Sequence, residues 1–247
     1  SAALNPKAQD DIITTDEKTV ATYNLIAGDP NNANAGQDTD PNGDTLTVTK
    51  FYVNGAEKTV GQQLEMPSGA LLTVASNVDI TYDPNGKFET FSAGDKLTTP
   101  DEFTYVVSDP AGYTDGATAT LDINGVADNP EAVDDAVTTD EDTSKSIDVL
   151  ANDTDVDSDA TDLSVTAIQG IPVSSGSVIE LTSGAKVTLN SDGTLSYDPT
   201  TSNSLQLLND GDSQDEIFSY TVSDEVGNTD SADVTVSVSG ITDTFAD

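Results

Sequence analysis

The chain has 247 residues, with 45 Asp plus Glu against 8 Lys plus Arg and a formal net charge of −37. That charge repels phosphate backbones and anionic membranes, so no nucleic-acid partner and no direct membrane insertion are expected. With no His and no Cys, the usual zinc sites, histidine triads and disulfides are excluded, and no enzyme is expected.

Hydrophobic residues make up 35% and Trp is absent, a composition bordering on the disordered. Regular alternation of Val, Ile, Leu and Thr with polar residues argues instead for strands. In the first half the alternation predicts strands at 12–15, 19–25, 45–53, 70–75, 78–82, 102–108 and 117–124. The second half gives 136–139, 146–150, 163–168, 185–190, 194–197, 217–223 and 232–239. Asn54-Gly55, Asn85-Gly86 and Asp192-Gly193 are hairpin turn signals. Phe103 and Tyr105 share one face at period two, as do Phe218 and Tyr220, and that face is expected to be buried.

The halves repeat one another. Asn5-Pro6-Lys7-Ala8-Gln9-Asp10-Asp11 matches Asn129-Pro130-Glu131-Ala132-Val133-Asp134-Asp135, and Thr81-Tyr82-Asp83-Pro84 matches Ser196-Tyr197-Asp198-Pro199. Asp101-Glu102-Phe103 aligns with Asp215-Glu216-Ile217-Phe218 with one residue inserted. The period is roughly 115–124 residues, the size of a β-sandwich. The fold class expected is therefore all-β, with two tandem immunoglobulin-like sandwiches. Residues 10–126 form repeat one, 127–133 an acidic linker and 134–241 repeat two. Residues 1–9 and 242–247 read as pieces of flanking linkers, and Ser1-Ala2-Ala3 as the cut edge of a longer chain.

The acidic residues concentrate in loops. Asn152-Asp153-Thr154-Asp155-Val156-Asp157-Ser158-Asp159 alternates carboxylates in one turn, a costly arrangement unless a cation holds it. Ca²⁺, with ~6–8 oxygen ligands and tolerant geometry, suits it. The first half carries a longer form: Gly28-Asp29-Pro30 stands where the second has Asn152-Asp153-Thr154. The tract Asn31–Gln37 is then inserted before Asp38-Thr39-Asp40-Pro41-Asn42-Gly43-Asp44. Sandwich topology gathers Glu17, Asp101 and Glu102 at one end of repeat one. It gathers the linker residues Asp128, Asn129, Asp134 and Asp135 with Asp153, Asp155, Asp157, Asp159 and Asp224 at the facing end of repeat two. The corresponding end of repeat one offers Asp10, Asp11, Asp29, Asp38, Asp40, Asn42, Asp44 and Asp109. Isolated acids such as Asp122, Asp162 and Asp233 read as surface charge. Asp38-Thr39-Asp40-Pro41-Asn42-Gly43 opens like an EF-hand, but Thr49 occupies the twelfth position and the flanks are strands.

The conjunction N-P-x-A-x-D-D, T-x-D-E-D-T, V-L-A-N-D-T-D-x-D, Y-D-P and F-x-Y-x-V-S-D resembles the tandem cadherin-like (VCBS-type) repeats of bacterial RTX adhesins. It covers nearly the whole chain in both copies. The resemblance implies Ca²⁺-rigidified extender modules in a cell-surface adhesin of biofilm or cell adhesion. Such an adhesin is extracellular and anchored at the outer membrane through other parts of the parent protein. The implied partners are neighbouring repeats, with host or biofilm ligands bound by other regions. The ligand layout also resembles animal cadherins, with Asp101-Glu102, Asp128-Asn129 and Asp153-x-Asp155 in the matching positions. Lys18 in place of Asp142 and Lys7 in place of Glu131 depart from the pattern. The competing reading is a module that itself binds a glycan or protein, through Asn31–Gln37 or the stretch from Asn54 to Gly69.

Overall fold

The computed structural model describes residues 4–32 and 35–242; the terminal linker ranges and the Asn31–Gln37 tract fall partly outside them. The chain divides into two compact units between Val126 and Ala127. Each is a two-sheet sandwich.

In the first unit the strands are β1 (Asp11–Asp16), β2 (Ala21–Asn24), β3 (Thr47–Val53), β4 (Ala56–Lys58), β5 (Gln63–Glu65), β6 (Leu71–Val74), β7 (Asp79–Asp83), β8 (Asp101–Ser108) and β9 (Thr114–Asn124). One sheet has the order β1-β9-β8-β3-β4 and the other β2-β7-β6-β5. β1 joins β9 in parallel, and the other pairs are antiparallel.

The second unit repeats this with β10 (Asp135–Asp140), β11 (Lys145–Ile147), β12 (Ser164–Ile168), β13 (Ile171–Pro172), β14 (Val178–Glu180), β15 (Lys186–Leu189), β16 (Leu195–Asp198), β17 (Ser213–Ser223) and β18 (Thr229–Ser239). Its sheets run β10-β18-β17-β12-β13 and β11-β16-β15-β14. Short 3₁₀ turns occur at Ala160–Asp162, Pro199–Thr201 and Leu205–Leu207.

The buried faces follow from period-two alternation. Phe103, Tyr105 and Val107 on β8 are all at most 1% exposed, and so are Phe218, Tyr220 and Val222 on β17. Phe51 meets Phe103 edge-on at 6.0 Å, and Tyr197 stacks on Phe218 at 6.3 Å. Such ring pairs contribute ~0.5–1.5 kcal/mol beyond their burial. Among the described residues each unit has nine strands rather than seven, because short edge strands (β4, β5, β13, β14) extend both sheets. These carry too few residues to register as alternation. Asn54 and Gly55, with φ of 50° and 77°, make the β3–β4 hairpin, and Asp192-Gly193 joins β15 to β16. Asn85-Gly86 makes no hairpin. It follows β7 in one sheet, and the next strand, β8, lies in the other.

Candidate metal centres

The two units place their acids alike at the end where β1 and β10 begin. Lys7 and Thr39 exchange backbone hydrogen bonds, as do Glu131 and Thr154. The Ala8 N–H donates to Asp115 and the Ala132 N–H to Asp230. The Thr118 N–H donates to Asp10 and the Asp233 N–H to Asp134. In this frame Asp38, not Asp29, stands where Asp153 stands. The Asp38 N–H bonds the Ile26 carbonyl as the Asp153 N–H bonds Leu150, and both carboxylates meet the strand tyrosine. Asp29 instead accepts from the Asn31 N–H within the insertion. The sequence alignment of Gly28-Asp29 with Asn152-Asp153 is corrected accordingly, since the insertion loops out before Asp38.

A phenol and two carboxylates meet at the centre of each cluster, all buried except Asp135, which is half-buried. In the first unit the Tyr105 hydroxyl is 2.6 Å from Asp11 Oδ2 and 3.3 Å from Asp38 Oδ2. It can donate to only one at a time. Tyr23 donates to Asp11 Oδ1 at 2.8 Å, and the Gln9 N–H to Asp38 Oδ1 at 2.7 Å. Burial, only partly offset by the two phenols, pushes Asp11 up to about 6. Burial and the Asp11 charge push Asp38 up to about 7. In the second unit the Tyr220 hydroxyl is 2.9 Å from each oxygen of Asp153, and the Val133 N–H reaches Asp153 at 2.8 Å. Burial and the Asp153 charge raise Asp135 to about 6. Its Oδ2 is buried without a hydrogen-bond partner among the described residues.

Nearer the surface, Asp40 Oδ1 accepts from the N–H groups of Asn42 and Asp44, and its Oδ2 is buried without a partner among the described residues. Carboxylate oxygens of Asp40, Asp44 and Asp109 lie within 4.8 Å of one another. Asp109 is buried and also accepts from the Tyr113 N–H, and Asn42 receives the Leu4 N–H.

In the second unit Asp155 and Asp224 take the places of Asp40 and Asp109, and Asp157 stands where Asn42 stands, its N–H bonding Asp155 as that of Asn42 bonds Asp40. Asp155 Oδ1 accepts from the Asp157 N–H, its Oδ2 is buried and unpartnered among the described residues, and burial followed by the neighbouring Asp157 carboxyl raises its pKa. Asp157 accepts from the Asp128 N–H, and Asn228 binds both the Asp128 carbonyl and Asp224. Burial of Asp224 is outweighed by donation from Asn228 and the neighbouring backbone, which holds its pKa below the ordinary range. Asn129 and Asp159 are exposed.

At the opposite end of the first unit Glu17 is 1% exposed. Asp101 shares the inward face of Phe103 and accepts from the hydroxyls of Ser68 and Tyr82, while Glu102 points outward and is exposed. Strand register sets Asp101 opposite Leu121 and Glu216 opposite Val236. Glu216, not Asp215, is therefore its counterpart, and it receives Ser183 and Tyr197 in the same way. Sequence reading missed Glu141, 1% exposed, whose Oε1 accepts from the Ile241 N–H and whose Oε2 is buried without a partner among the described residues. Its equivalence to Glu17 in Thr138-Thr139-Asp140-Glu141 was the available signal.

Carboxylate oxygens shut away from water with no donor are expensive. Those of Asp40, Asp135 and Asp155 are each bordered by further carboxylates and set in irregular loops. An all-oxygen donor set of this kind fits Ca²⁺ rather than a metal that prefers nitrogen or sulfur.

Residues 127–240 match the family model described as bacterial cadherin-like domain, and residues 4–123 the one described as bacterial Ig domain. No curated protein matches the chain. Among solved structures, Drosophila N-cadherin EC1-4 is 11% identical, with a TM-score of 0.45; 96% of this chain and 50% of that one are covered. Mouse cadherin-23 EC22-24 is 16% identical, with a TM-score of 0.43, over 95% of this chain and 66% of that one. The chain thus spans about half to two thirds of the length of these structures.

Proposed function

We infer, from a chain built of two tandem bacterial cadherin-like and immunoglobulin-like domains, that it is an extracellular adhesin-type segment stiffened by Ca²⁺. The observation that carries this reading is the buried, unpartnered Asp155 Oδ2 beside Asp157 and Asp224, in the loop to which linker residue Asp128 is hydrogen-bonded. Asp155, Asp157, Asp224 and Asp128 would hold one cation, and Asp40, Asp44 and Asp109 another. The ion supplies positive charge where carboxylates otherwise repel, and it is bound only by the folded chain. At a concentration of 100 times its Kd, one such ion stabilises by about 2.7 kcal/mol. Fixing the linker residues to their unit turns a −37 chain that repels itself into a stiff spacer. That is the mechanical role proposed for it in a biofilm or cell-surface adhesin.

The test is small-angle scattering with a melting curve, in millimolar CaCl₂ and then in excess chelator, on the whole chain and on Asp155→Asn. An elongated particle that loosens and melts earlier in chelator, with the response weakened by the substitution, is expected. Dimensions and melting that ignore calcium would sink the reading. Glu17, Asp101 and Glu102 contribute to this stiffening only if their neutral variants reduce the same response.

A further inference from the structure

All of strand β1 pairs with β9, so the sheet that ends at β2 has no strand beyond it. Between these two edges lies a cleft of about 630 Å³, walled at one end by Pro30 and by Asn31 of the insertion. The Glu17 N–H bonds the Asn124 carbonyl and continues the parallel ladder. By alternation Ile13 and Thr15 also face β9, and the backbone groups of Ile12 and Thr14 face the cleft. On the far side the Leu25 N–H bonds Val78, which turns the Thr22 backbone toward the same space.

Folded proteins blunt such edges with Lys, Pro or bulges. Neither Ile12-Ile13-Thr14-Thr15 nor Ala21-Thr22-Tyr23-Asn24 carries any of these, and Ile12 is 75% exposed. In the second unit Ala136 replaces Ile12, and an edge Lys145 replaces Ala21. The cleft lining includes Asp10 and Asp29 and no Lys or Arg. The net charge of −37 disfavours a second copy as occupant and favours a cationic one.

We propose that the β1–β2 cleft of the first unit accepts an extended, Lys- or Arg-bearing peptide as an added strand on β1. Main-chain hydrogen bonds to Ile12 and Thr14 supply the affinity, an apolar side chain packs on Ile12, and basic side chains meet Asp10 and Asp29. The two cation sites proposed above use neither Asp10 nor Asp29.

The probe is a fluorescein-labelled nine-residue peptide alternating Val and Thr with Lys. Its control has the same length and the same number of Lys but a Pro at every third position, so that it cannot form a strand. Both are titrated by anisotropy against the whole chain in calcium at about 150 mM NaCl. Saturable binding of the first peptide, at least about tenfold tighter than the second, is expected. Thr14→Pro removes the N–H that faces the cleft and fixes φ there, at a place where an edge strand tolerates proline. It should abolish this preference with melting unchanged, and Thr138→Pro in the second unit should leave it intact. If Thr14→Pro lowers the melting temperature, Ile12→Ser serves as the second variant and should weaken binding. Equal binding of both peptides, or binding insensitive to Thr14→Pro and Ile12→Ser, overturns the proposal. So does a concentration-dependent dimer that Thr14→Pro dissolves, which would make the occupant a second copy.

Discussion

Asp11 in the first unit is satisfied from two sides, by Tyr105 and by Tyr23. Its counterpart Asp135 has a buried oxygen with no partner among the described residues, and Ile147, which stands where Tyr23 stands, brings no hydroxyl. The insertion accounts for the rest of the difference. It is closed by the Asp29 N–H bonding the Ala35 carbonyl, and it sets Gly36 directly against the Asp11–Tyr23 pair. A Cβ there would lie 2.3 Å from Asp11 Oδ1 and 2.7 Å from the Tyr23 hydroxyl. One unit has used chain length and a phenol to close its inner carboxylate. The other leaves one oxygen of that carboxylate without a donor among the described residues, as an ion site would need.

The strongest way to break this comparison is Gly36→Ala. The residue has φ of +68° and no room for a methyl group. Strain and displacement together should cost more than about 2 kcal/mol, read as an earlier melting transition of the first unit only. Unchanged melting would mean the insertion does not close Asp11. A smaller effect comes from removing one phenol at a time in chelator. Tyr220→Phe takes the hydroxyl shared by both oxygens of Asp153 and should cost about 1–3 kcal/mol. Tyr105→Phe should cost less, since Asp11 keeps Tyr23. Equal losses would show that the second phenol adds nothing.

The smallest effect is the pH dependence of the metal-free chain. Asp11 and Asp38 sit near 6 and 7 in the folded unit, against an ordinary 3.8. The folded state therefore binds protons more tightly than the unfolded one. The associated stability is complete below about pH 4 and lost as pH rises through about 6 to 7. Melting in chelator should fall by a few degrees between about pH 5 and about pH 8, and Asp11→Asn should flatten that fall. A melting temperature that rises over this interval would contradict the buried carboxylate pair.

The repeat of Asn-Pro-x-Ala-x-Asp-Asp and the alternation through Phe103, Tyr105 and Val107 determine two β-sandwiches, and the alternating carboxylates mark the end of each unit where oxygens collect. Those features are legible because burial on a strand has period two and because unfavourable charge must be concentrated for a reason. The inward turn of Asp101 was equally legible, since it shares the face of Phe103, but its partners Ser68 and Tyr82 are 33 and 19 residues away.

Only the tertiary structure decides that Asp38 rather than Asp29 meets the strand tyrosine. The choice rests on the Asp38–Ile26 hydrogen bond, which closes the loop across the insertion, and loop length alone does not say which carboxylate lies beyond the closure. Nor does the sequence reveal the vacant edge beside β2. Strand pairing is a long-range choice, and β1 could have joined either sheet until its ladder with β9 fixed it.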